Sequence, residues 1–80
     1  MERDTHSTEG LIKMQSILDF IAAFTLKNHY PPTFDEINSG VGLSGRSHVH
    51  HYLHFMRSLG MVDFKDRKSR TIILLKEVIE

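Results

Sequence analysis

Four of the six histidines, His48, His50, His51 and His54, fall within seven consecutive residues, and no other segment concentrates reactive side chains in this way. Histidine ordinarily titrates near pH ~6.5, so such a cluster can ligate a metal, hydrogen-bond through either ring nitrogen, or gain charge as pH falls. His50 and His54 have the i, i+4 spacing at which two imidazoles share a zinc or nickel ion, but two ligands make no tight site. With no cysteine to complete one, neither a metal nor any other cofactor is expected. Catalysis is not expected either, because Ser16, Ser39, Ser47 and Lys13 make no nucleophile-and-base arrangement and no glycine loop is built to cradle a phosphate. Imidazoles and hydroxyls on one helix face can instead hydrogen-bond to bases and phosphates, with an inert histidine-rich surface as the bland alternative.

The elements that position this cluster are spelled by Pro31 to Met61. Pro31 and Pro32 keep the approach extended, and Thr33 with Glu36 forms a capping box, so a short helix is expected over about 34–41. Ile37 and Val41 give it an apolar face, while Gly40 costs its interior about 1 kcal/mol relative to alanine and has to be held by its surroundings. Gly42 supplies a turn, Leu43 plugs the core, and Ser44 is expected to cap a second helix over about 45–59 that Gly60 stops. On that helix Val49, Leu53 and Met56 form one stripe with Tyr52 and Leu59 beside it. Ser47, His50, His51 and His54 point the other way, with His48 on the border and Arg46 in the first turn.

Upstream, Leu11, Met14, Ile17, Leu18, Ile21 and Phe24 recur at helical spacing, which predicts a first helix over about 9–28 starting near Ser7 or Thr8. Downstream the period changes. Met61 to Phe64 and Arg70 to Leu75 read as two strands around the charged turn Lys65 to Ser69, a hairpin wing over about 61–75. Lys76 to Glu80 reads as a frayed end or the start of a further element. The order is that of an α+β winged helix-turn-helix: three helices followed by a two-stranded β-hairpin, one domain over residues 1–80.

Eighty residues with 40% apolar side chains suffice for one small core. No segment reaches the roughly 20 apolar residues of a membrane span and the polar start lacks a signal-peptide layout, so a cytoplasmic protein is expected. The net charge is zero but polarised. Residues 1–42 carry three basic and six acidic side chains, whereas residues 43–70 carry six basic ones against Asp63 and Asp66. A basic end of this kind suits a phosphate backbone. Phe34, Tyr52, Phe55 and Phe64 read as core or core-edge rings, with Phe55 suited to a dimer interface or to packing beneath the wing.

The chain resembles the N-terminal DNA-binding domain of the LexA (SOS-response) repressor family. The resemblance runs ungapped from about Tyr30 to Leu75 through Pro31-Pro32-Thr33, Glu36-Ile37, Gly42, Leu53, Arg57 or its neighbours before Gly60, Val62-Asp63, Ser69-Arg70, Ile72 and Leu74-Leu75. It implies a repressor that binds double-stranded DNA as a two-fold homodimer on an inverted-repeat operator. It places base reading at Gly45, Ser47, His48, His50 and His51, where the family commonly presents serine, asparagine, alanine and two glutamates. Carboxylates that accept from cytosine give way to imidazoles that can donate to purine N7 or O6, so a different operator is expected. Phosphates are expected at Ser44, Arg46, His54, Lys65, Arg67, Lys68 and Arg70, and binding is expected to be tighter at pH 6 than at pH 8 as histidines charge. The family also carries a C-terminal self-cleaving serine-lysine domain, which these residues do not supply. A protein-interaction or dimerisation module without specific DNA binding is the competing expectation.

Overall fold

The computed structural model describes residues 8–75, so the expectations for Ser7 and for Lys76 to Glu80 lie outside the described residues. Helix α1 is Thr8–Asn28, α2 Phe34–Val41 and α3 Arg46–Ser58, followed by strands β1, Val62–Asp63, and β2, Ile73–Leu74. The strands pair antiparallel with Val62 opposite Leu74 and Asp63 opposite Ile73, making a winged helix-turn-helix. Among the described residues no helix is long and apolar enough to cross a membrane.

Met14, Ile17 and Ile21 form the buried stripe of α1 and meet Ile37 of α2, Val49, Leu53 and Met56 of α3, and Val62 and Ile72 of the hairpin. Two apolar residues expected in or beside the buried faces stay outside. Leu11 is 58% exposed because its direction lies off the Met14-Ile17-Ile21 stripe, and Leu59 is 56% exposed because α3 has already ended at Ser58. Phe55 is partly buried against the core, and Tyr52 and Phe64 lie within it. Gly40 has a clear reason. The Phe20 ring of α1 lies so close that a Cβ there would run into its Cζ and Cδ1 at 2.6 and 2.7 Å, so the missing side chain lets α1 and α2 approach.

The capping box forms as its residue types require: the Glu36 amide donates to Thr33 Oγ1 at 3.0 Å, and the Thr33 amide donates to Glu36 Oε1 at 2.8 Å. The turn between α2 and α3 hangs on Asn38. Its carbonyl accepts from the amides of Gly42 and Leu43 at 3.0 and 3.1 Å, and its side-chain Oδ1 accepts from the Gly45 amide at 3.0 Å. Gly42 takes the left-handed conformation, φ 82°, that ends α2.

The start of α3 differs from expectation. Gly45 occupies the N-cap with φ 150° and ψ 166°, a region open essentially to glycine alone, and no side chain caps the helix. The Ser44 hydroxyl lies 3.0 Å from His48 Nδ1, so the expected Ser44 cap is replaced by a bond to the ring one turn on.

The wing strands are also shorter than the expected Met61 to Phe64 and Arg70 to Leu75. Side chains take over the ladder: the Phe64 amide donates to Asp63 Oδ1 at 2.9 Å and the Lys65 amide to Thr71 Oγ1 at 2.9 Å. Arg67 and Arg70, with φ 64° and 57°, turn the backbone out of the extended region.

Candidate nucleic-acid interface

Burying Val49, Tyr52, Leu53 and Met56 forces the polar residues of α3 outward, and they divide into three groups. His48 leans to the turn side, held by Ser44 and edge-on to Tyr52 with ring centroids 6.2 Å apart. His50 and His54 lean to the wing side. Their rings stack at 5.7 Å with a 16° interplanar angle, His50 against Phe34 at 4.7 Å and His54 against Phe64 at 5.2 Å. Between these groups Ser47 and His51, one helical turn apart, are exposed, and His51 lies edge-on to the ring of its neighbour Tyr52 with centroids 6.0 Å apart.

Across from the wing-side histidines, a cleft of ≈ 270 Å³ separates α3 from the hairpin tip. Arg46, His50, Thr33 and Phe34 line one wall, and Phe64 with the tip residues Lys65 to Ser69 lines the other. Lys65, Arg67 and Lys68 are exposed, and a Lys68 amide to Lys65 carbonyl bond of 3.2 Å closes the turn that presents them. Arg46 reaches Asp35 at 3.4 Å, but both side chains are largely exposed, so this pair is weak and readily exchanged for a phosphate.

Arg70, expected on a phosphate, turns away from the tip instead. Its two terminal nitrogens reach Glu36 Oε1 and Oε2 at 3.0 Å each, Nη1 also donates to the Pro31 carbonyl at 3.0 Å, and the guanidinium lies over the Tyr30 ring at 4.7 Å. The left-handed turn at Arg70 aims its side chain at the start of α2. The Arg70 hydrogen bond, and then the Thr33 amide, hold the Glu36 carboxyl below the usual carboxylate range.

Arg57, which the sequence does not single out for this region, packs against the wing. It donates to the Phe64 carbonyl at 3.0 Å, lies over the Phe64 ring at 4.1 Å, approaches Asp66 at 3.5 Å and sits 3.3 Å from His54 Nδ1. Asn38 was missed as well; its only sequence signal is an amide side chain in the last turn of α2, just before a glycine turn. Among the described residues no three histidine, aspartate or glutamate side chains gather as a metal-ligand set.

A solvent-facing helix with a polar, histidine-rich front, set beside a short basic hairpin, defines a winged helix-turn-helix of the nucleic-acid-binding class. The family model of the LexA DNA binding domain matches residues 9–71. The chain is similar to the LexA repressor of Carboxydothermus hydrogenoformans, 41% identical over 63 residues, covering 79% of this chain and 31% of that protein. It is also similar to the LexA repressor of Clostridium novyi, 40% identical over 67 residues, with 84% and 33% coverage, and to that of Koribacter versatilis, 31% identical over 64 residues, with 80% and 30% coverage. The chain belongs to the LexA DNA-binding domain family. It spans about a third of the length of these curated relatives.

Proposed function

We propose that this domain binds double-stranded DNA sequence-specifically and serves a transcriptional repressor, with α3 in the major groove and the wing on the flanking backbone. The observation that carries this reading is that α3 exposes Ser47 and His51 one turn apart while the basic tip Lys65, Arg67 and Lys68 stands across the cleft from Arg46 and His50 of the same helix. A helix about 10–12 Å across fits a major groove about 12 Å wide, and residues in its first two turns reach base edges.

Ser47 and His51 read bases on this account, with His48 and His50 at the borders of the same front and Gly45 letting the backbone come close. Ser44, Arg46, His54, Lys65, Arg67 and Lys68 grip phosphates. On this reading Arg70 is left out of that set, since both Glu36 carboxylate oxygens hold its guanidinium. So few cations give one copy modest affinity, and two-fold pairing on an inverted repeat doubles them. The test is selection of bound duplexes from a random DNA pool. An enriched inverted repeat supports specificity and pairing together; no enrichment at low salt points to a protein-interaction module instead.

A further inference from the structure

Two arginines that flank the wing tip make the same three kinds of contact. Arg57, on α3, donates to the carbonyl of Phe64, covers the Phe64 ring and approaches the carboxylate of Asp66. Arg70, at the far side of the tip, donates to the carbonyl of Pro31, covers the Tyr30 ring and pairs with the carboxylate of Glu36. Between them lie Lys65 to Ser69, and the paired strands are two residues each. A two-stranded ribbon that short has little stability of its own. The tip is therefore anchored on the helices by the guanidiniums, at one end to α3 and at the other to the start of α2.

We infer that Arg57 and Arg70 are positioning residues that fix the stance of the wing against the reading helix, an inference that rests on the DNA-binding reading above. Each uses a planar fork and a flat face at once, which a lysine ammonium cannot reproduce. Holding the tip in place delivers Lys65, Arg67 and Lys68 to the backbone as an ordered set, so their ordering is not charged against binding. His54, 3.3 Å from Arg57, ties the reading face of α3 to the same anchor. The opposing account makes both arginines phosphate ligands that rest on carboxylates until DNA arrives.

Charge-conserving variants separate the two. In Arg57→Lys and Arg70→Lys, the anchor account expects binding to all duplexes to weaken by on the order of tenfold with sequence preference kept. The slope of log K against log salt should fall by about one to three units, as tip cations lose their phosphates. Lys68→Ala should also cost less affinity in the Arg70→Lys background than in the wild type, the mark of residues acting as a unit. Glu36→Gln keeps a side chain compatible with the capping box but removes the charge that holds Arg70. The anchor account expects weaker DNA binding from it, whereas a released phosphate ligand and one fewer acid predict tighter binding. Thermal melts of each variant identify any loss due to unfolding, and Glu36→Gln decides the matter if a lysine variant fails to fold. Wild-type binding with unchanged or tighter Glu36→Gln overturns the inference alone; a wild type that binds no duplex overturns the DNA-binding reading beneath it.

Discussion

Glu36 and Arg70 meet edge to edge, with both carboxylate oxygens 3.0 Å from guanidinium nitrogens, while Glu36 Oε1 also accepts from the Thr33 amide at 2.8 Å. One carboxylate thus closes the cap of α2 and moors the wing. The start of the helix-turn-helix and the exit from the hairpin become one mechanical unit, although 34 positions separate the two residues.

Acid should loosen this unit once pH falls far enough to protonate Glu36. The Glu36 carboxyl is held below its ordinary range, so its contribution to stability is present above the ordinary carboxylate pKa and is lost as pH falls through the lowered value. Thermal melts of wild type and Glu36→Gln should therefore differ most near neutral pH and converge as the solution is acidified. A gap that stays constant or widens with acid would contradict the assignment.

Asn38 offers a test of the turn. Asn38→Ala removes the acceptor of the partly buried Gly45 amide and should cost about 1–3 kcal/mol. Asn38→Asp keeps an acceptor oxygen and should cost clearly less in a urea titration. Equal losses would mean that the side-chain bond to Gly45 contributes nothing specific.

Arg67 separates stability from binding. Its φ of 64° carries a left-handed cost of about 1–2 kcal/mol for a residue with a Cβ, against about 0.4–1 kcal/mol of extra unfolded-chain freedom for glycine. Arg67→Gly should then gain about 0.5 kcal/mol while losing one phosphate contact, about one unit of salt slope. A variant that is both more stable and a weaker DNA ligand is the expected result; one that binds as well as wild type removes Arg67 from the interface.

These cases mark what the amino-acid string exposes. Caps and helical periods are local, so Thr33 with Glu36, the proline pair and the Val49, Leu53, Met56 stripe were legible, as were the three helices and the wing after them. Gly40 showed a local cost without its cause, since the ring it admits belongs to Phe20 on another helix. The length of the wing strands was not legible, because β-branched composition at Thr71 to Ile73 says nothing about the Thr71 hydroxyl replacing a ladder bond. The fates of Arg57 and Arg70 were not legible either. A charge count sees two cations near a basic tip, and only tertiary packing reveals that both are engaged by carbonyls, rings and carboxylates.

The division of labour between α3 and the wing is tested most directly by titrating His51→Ala and Lys68→Ala against a panel of related duplexes at several salt concentrations. His51→Ala should bind the panel more evenly, losing about 1–3 kcal/mol of discrimination at one base position while its salt slope stays near that of wild type. Lys68→Ala should keep the order of preference, weaken every duplex alike and lower the slope by about one unit. If both variants bind every duplex as the wild type does, α3 does not read and the wing does not grip.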